Sequence, residues 1–302
     1  MYGRNEWQLD WFVMNRPQSS YEAWLQSEDG GWSSPPAVST KTGRVNAHGA
    51  VVSPVWKDAR SITLEGRAYA PSDAAVKMLA AYLKGICADP NKTYRLSSKT
   101  EIGEIECQVK LDGPVLIDSG DDFSSSITFS IQLVAPDPRL YRSEWQTMAT
   151  GLPRDTTGGL DFSDPGLDFS DPGLQFGTSS TQTGFVVLRN TGTAPAPVVF
   201  TLRGPLTNPS ITTTVDGESY TMKYNDTLTE GEFVVINPEH PSVLLGGTAS
   251  RRELLNPADF RGFYVPPAVP YGPPGELRVG LIHEGAFTET GTLTAEWRSA
   301  SW

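Results

Sequence analysis

Chemistry needs side chains that can act together, and the chain offers few. His48, His240 and His283 are its only three histidines. A hydrolytic zinc site wants two imidazoles at short spacing, as in HExxH or HxH, and none of the three stands in such a context. His48 precedes Gly49 and reads as part of a turn. The sequence has no GxSxG elbow, no glycine-rich phosphate loop leading into a helix, and no CxxC. Cys87 and Cys107 are the only cysteines. Cys107 falls on the apolar phase of a strand, so the pair is expected as two buried thiols rather than a disulfide. Asp161, Asp164, Asp168 and Asp171 recur at a fixed interval, and loop carboxylates are what Ca2+ prefers. A proline after Asp164 and after Asp171 fixes a turn there, however, and the spacing fits neither an EF-hand nor an RTX repeat. These acids read as a solvated linker. Glu101, Glu104 and Glu106 read as a solvent face, and whether any two carboxylates meet as a glycosidase pair is not decided by spacing. Tyr264, Tyr271 and Trp297, the first within Phe263-Tyr264-Val265-Pro266-Pro267, are of a type that stacks on sugars, although aromatics in a β-sandwich also serve as core. The residues therefore indicate no catalytic group, no cofactor and no metal. Tyr264 and Tyr271 are retained as positions for sugar or partner docking.

The elements that would position such groups are mostly strands. Ser61–Tyr69 alternates Ile62, Leu64 and Ala68 against Thr63, Glu65 and Arg67, the period of a half-buried strand. Pro71 stops it. Ser72 is placed to cap a helix predicted over about 72–85, with Asp73 favourable at its positive start. Ala75, Leu79, Tyr82, Leu83 and Ile86 make its apolar stripe, and Gly85 can close it in the left-handed conformation. One helix in a β-rich chain must lie across a sheet, because its stripe cannot form a core alone. Trp7, Leu9 and Trp11 alternate as a strand, and Tyr21–Leu25 forms a weaker one. Glu101–Leu111 places Ile105, Cys107, Val109 and Leu111 on one face. Ser126–Leu133 does the same with Ile127, Phe129, Ile131 and Leu133. Beyond Gly184 seven strands are predicted: Phe185–Arg189, Val198–Arg203, Ser219–Lys223, Glu232–Ile236, Ser242–Leu245, Glu276–Leu281 and Leu293–Arg298. That number in so short a stretch fits a sandwich or jelly roll.

The organisation follows. Residues 1–145 form a β domain, sandwich-like or barrel-like, with the one helix across it. Residues 146–183 form a linker holding the heptapeptide Gly159–Pro165 (GLDFSDP), copied at Gly166–Pro172 and begun again at Gly173–Phe176. Residues 184–302 form a C-terminal β-sandwich. Proline and glycine in every copy rule out a coiled coil. Leu160, Phe162, Leu167, Phe169, Leu174 and Phe176 are too apolar for a free linker and are expected to contact a neighbouring subunit or the body of the chain. A formal charge of −11 argues against a nucleic-acid partner, which requires Lys and Arg in excess. No apolar run is long enough to span a bilayer, and the first residues lack a signal-peptide core.

The order of these features resembles the distal tail proteins of long-tailed, siphovirus-type bacteriophages. The stretches that carry it are SITLEGRAYAPSD (Ser61–Asp73), VAPDPRLYRSEW (Val134–Trp145) and RNTGTAPAPVVFTLRGPLTNPSI (Arg189–Ile211). Arg251–Leu255 and Thr294–Trp297 look like tail proteins of phages infecting actinobacteria. The resemblance implies a non-enzymatic virion protein at the distal end of the tail, made in the host cytoplasm. Its N-terminal domain would form a hexameric ring, and its C-terminal domain would be galectin-like. The partners implied are the tail tube protein, a tail-tip hub or lysin-type protein, and a tail fibre or receptor-binding protein. An acidic channel would let DNA slip through without sticking. The other reading is a carbohydrate-binding module, on the virion or secreted, with or without glycan hydrolase activity in its C-terminal domain.

Overall fold

The computed structural model describes residues 5–101, 103–118, 125–155, 181–182, 184–285 and 290–302. The chain divides into two compact units, Met1–Glu144 with Ala300–Trp302, and Trp145–Ser299. The GLDFSDP copies, and with them Leu160, Phe162, Leu167, Phe169, Leu174 and Phe176, lie outside the described residues.

The strands of the first unit are β1 (Glu6–Leu9), β2 (Phe12–Met14), β3 (Glu22–Asp29), β4 (Ala37–Val38), β5 (Lys41–Gly43), β6 (Ala50–Val52), β7 (Trp56–Lys57), β8 (Arg60–Tyr69), β9 (Tyr94–Thr100), β10 (Gly103–Leu111), β11 (Leu116–Asp118), β12 (Ser126–Ala135) and β13 (Leu140–Arg142), with helix α1 (Asp73–Lys84) after β8. The main sheet runs β2-β1-β9-β10-β12-β8-β3, with β11 on β12 and β13 joining β10 to Ala300–Ser301. It closes on one core to which β8 gives Ile62, Leu64 and Ala68, and β12 gives Ile127, Phe129, Ile131 and Leu133. Each large side chain buried there contributes roughly 1.5–3 kcal/mol. Ser72 caps α1, its Oγ accepting from Ala75 N at 3.2 Å. The helix buries Val76, Leu79, Ala80 and Leu83, with Ile86 beyond its end.

Three local expectations need correcting. Tyr82 is 60% exposed; Val76 and Ala80 occupy the inner face, one step round from the expected stripe. Gly85 has φ −97° rather than a left-handed value. The last turn tightens instead through Gly85 N to Tyr82 O and Ile86 N to Leu83 O, which satisfies end carbonyls without a left-handed residue. The Trp7-Leu9-Trp11 alternation stops at Asp10, whose φ of 52° makes the β1–β2 turn and leaves Trp11 partly exposed.

The second unit is a two-sheet β-sandwich. One sheet orders Gln146–Gly151, Thr292–Trp297, Ala196–Arg203, Phe233–Asn237, Ser242–Leu245 and Ala249–Ser250, with Tyr264–Val265 on the side. The other orders Phe185–Asn190, Gly275–Ile282, Ser210–Val215, Glu218–Tyr224 and Leu255–Ala258. All seven predicted strands are present. Ser210–Val215, between two of them, is an addition. Two boundaries differ from the sequence reading. Gln146–Gly151 is a strand paired with Thr292–Trp297, not linker, because its backbone completes that sheet's edge. Residues 300–302 return to the first unit, where Leu140 and Tyr141 pair with Ser301 and Ala300.

Candidate interaction surfaces

The chain between β3 and β8 leaves the main sheet and forms a hairpin arm. β4 pairs with β7 and β5 pairs with β6, and neither ladder joins the main sheet. Arg60 fixes its root. This residue sits on the inner phase of β8 and is 1% exposed. Its Nη1 donates to Gly30 O at 2.8 Å and to Ser33 O, and its Nε donates to Pro138 O at 3.1 Å. The residue that ends the arm thus holds the carbonyls of the residues that begin it. Burial lowers the guanidinium's pKa from its ordinary value, against the raising effect of nearby charges including Glu28. Lys57 Nζ adds a bond to Ser34 Oγ at 2.9 Å, and Asp58 N donates to Pro36 O at 2.9 Å.

Beyond that root the arm buries almost nothing. Of its strand residues only Lys57 is half-buried; the rest are exposed. Val45 is 88% and Trp56 72% exposed, and Val38, Val51, Val52 and Val55 are exposed too. The tip turns through Asn46 (φ 60°) and Gly49 (φ 96°), with Arg44 N bonded to Gly49 O at 3.2 Å. His48 lies in this turn and is exposed, so it belongs to the tip. Residues 36–57 contain Lys41, Arg44 and Lys57 and no Asp or Glu, in a chain of 24 Lys+Arg and 35 Asp+Glu.

An open trough of about 350 Å3 crosses β11, β12, β8 and β3 on the outside of the same unit. Gln26, Glu65, Leu116, Asp118, Thr128 and Ser130 are among its lining residues. Leu116 is 56% exposed. A bulge in β3 between Leu25 and Ser27 sets Gln26 at its rim. Glu65 accepts from Ser130 Oγ at 3.3 Å.

In the second unit a broader groove of about 690 Å3 lies over Ser210–Val215 and its neighbours. Thr212, Thr214, Tyr220, Phe185 and Arg278 line it, and the Arg278 guanidinium lies 3.5 Å from the Phe185 ring centre. Tyr264 and Tyr271 do not. Tyr264 is half-buried in a short strand opposite Pro197. Tyr271 is fully exposed on a loop at φ 56°. Trp297 is core rather than a stacking platform: it is 2% exposed and its Nε1 donates to Arg189 O at 2.8 Å.

Both cysteines are free and buried, and burial pushes each thiol up to about 12, where the thiolate nucleophile is not populated near neutral pH. Glu104 and Glu106 both bond to Arg95, at 2.6 and 2.5 Å. His240 is exposed and His283 half-buried. Among the described residues no group of three or more His, Cys, Asp or Glu is placed to hold a metal, and no helix is long and apolar enough to cross a membrane. The sequence reading missed Arg60 and the arm. Extending the β8 alternation back by two positions would have put Arg60 on the inner face.

No family model matches the sequence, and no curated protein matches it. Solved structures do. The crystal structure of the SPP1 Dit protein (gp 19.1), described as a paradigm of the hub adsorption apparatus in phages infecting Gram-positive hosts, is similar with a TM-score of 0.63 and 11% identity, over 98% of this chain and 99% of that one. Two structures of the phage P2 baseplate in its activated conformation, one with Ca and one with Sr, are similar with a TM-score of 0.50 and 12% identity, over 97% of this chain and 98% of each of theirs. The chain has the mainly β fold shared by these phage hub and baseplate proteins.

Proposed function

We propose that this chain is a structural component of the distal tail hub of a long-tailed, siphovirus-type phage, with an actinobacterial host. The observation that carries the hub role is the likeness to SPP1 Dit across nearly the full length of both chains. In this reading the first unit forms a hexameric ring that joins the tail tube to the tip and host-recognition proteins and lets DNA pass. The net charge of −11 suits a passage to which DNA does not adhere. The apolar side chains of the GLDFSDP copies, Leu160, Phe162, Leu167, Phe169, Leu174 and Phe176, are contacts to a neighbour. The protein has no catalytic role. Its place is the virion, after synthesis in the host cytoplasm.

A second reading, saccharide docking, is favoured by one feature: the groove that brings Tyr220, Phe185, Arg278 and several threonines together. Light scattering on the purified full chain, with a glycan array, separates the two. The hub reading expects a mass of several copies and no glycan signal above background. A strict monomer that binds glycans and loses them on Arg278→Ala supports docking instead.

A further inference from the structure

The groove of about 690 Å3 in the second unit crosses four neighbouring strands, from Phe185 through Gly280 and Thr212 to Tyr220. Among the described residues that line it, Arg278 carries the one charge. Its guanidinium lies 3.5 Å from the Phe185 ring centre, and Ile282, on the same strand face, is 54% exposed. Glu276, two residues back on that face, bonds to Arg189 at 2.9 Å, and among the described residues no carboxylate pairs with Arg278. Such a floor fits a ligand that is apolar at one end and acidic at the other. Pro153 and Gly184 both stand at the rim. A Cβ on Gly184, whose φ is 71°, would come within 2.6 Å of Pro153 Cγ, so the two touch. Next to them Arg154 pairs with Gln182, and Asp155 with Thr181. Residues 156–180, which hold the GLDFSDP copies, therefore leave and return at one edge of the groove.

We propose that the first GLDFSDP copy, Gly159–Pro165, lies in the groove of its own sandwich. Position selects the source. Both ends of the segment are held at the rim, so the copy meets this groove at an effective concentration of about a millimolar. Only residues 156–158 separate Asp155 from it, and roughly 80 Å of extended chain over 156–180 is enough to cross the groove and return. Pattern selects the occupant. An extended copy sets Leu160, Phe162 and Asp164 on one face. Leu160 to Asp164 then spans roughly 13 Å, against roughly 14 Å across four strands. Charge fixes the direction of fit, with Asp164 against Arg278 and the apolar pair on the ring and aliphatic floor. The copies carry Asp161, Asp164, Asp168 and Asp171 and no Lys or Arg, whereas the third, incomplete start has Thr178 in the place of Asp164. One seated copy leaves the second for the neighbour contact read above. The seat lies within one chain and does not depend on the hub role.

Limited chymotrypsin digestion of the dilute full chain, with each cut mapped by mass, is the first test. Cleavage after Phe162 should be slower than after Phe169, although the two copies are identical in sequence. Arg278→Glu should speed the Phe162 cut at least about ten-fold, as facing like charges does. Arg278→Glu with Asp164→Lys should restore the slow rate, which a misfolded variant would not do. The second test oxidises chains carrying Thr212→Cys with Phe162→Cys, and Thr212→Cys with Phe169→Cys. The native thiols, buried and pushed up to about 12, leave the background clean. A disulfide within one chain that forms faster for Phe162→Cys supports the proposal. Equal cutting of both copies, or a Phe162 cut indifferent to Arg278→Glu, overturns it and leaves the hub reading intact. Protection of Phe162 that vanishes on dilution overturns it in favour of a neighbour's groove. A glycan-array signal lost on Arg278→Ala, with both copies cut alike, gives the groove to a saccharide and the proposal falls. A strict monomer that protects Phe162 supports it while contradicting the hub reading.

Discussion

β8 with β12, and the arm with itself, are both antiparallel ladders, yet they solve opposite problems. β8 and β12 are ten residues each and paired along their length, and every second side chain disappears into the core. The arm keeps the same backbone bonding but buries none of its apolar side chains. Hydrogen-bonded pairing is therefore not what holds a β element in place here. Burial holds β8 and β12. The arm is held at its root, by the Arg60 guanidinium together with Lys57 and Asp58, while its own faces stay exposed.

That contrast can be broken at graded sites. Ile131→Ala in β12 should lower unfolding free energy of the first unit by about 2–5 kcal/mol, the range for truncating a fully buried aliphatic side chain. Val51→Ala in the arm should change it by less than about 0.5 kcal/mol; denaturant melts of dilute protein make the comparison. Arg60→Met comes next. It removes the donor shared by Gly30, Ser33 and Pro138 carbonyls, at about 2–3 kcal/mol for bonds to a charged group, and limited proteolysis should cut first near the arm root. Ser72→Ala removes the α1 cap and should cost about 1 kcal/mol, with a matching drop in melting temperature. The thiols give a pH-dependent test of the same core. Their folded pKa of about 12 stands above the ordinary 9.0, so folding favours the protonated form. Stability from this source is complete below pH 9 and is lost as pH rises toward about 12. Maleimide at pH 8 should label the native protein negligibly and the unfolded protein at both cysteines.

Sequence pattern made much of the fold visible because strands that bury one face must alternate. Ile127, Phe129, Ile131 and Leu133 are legible for that reason, as are the seven strands of the sandwich. Ser210–Val215 was not, because its inward positions mix Ile211 with Thr213. The threonine is buried, and its Oγ1 donates to Arg278 O at 2.8 Å, so a hydroxyl replaces the apolar residue that alternation looks for. Arg60 was hidden by the rule that charges face water, which fails where backbone carbonyls surround the group. The arm's valines follow no period because no core selects their phase. The trough gathers residues from four strands, the ends of the set lying more than a hundred positions apart, and only the fold brings Gln26, Glu65, Leu116 and Thr128 together.

The central claim is that this chain works as a copy among copies. Negative-stain images of the full-length protein at micromolar concentration test it most directly. Closed rings with rotational symmetry and a central opening are the expected result, and single particles without symmetry at every concentration would contradict it.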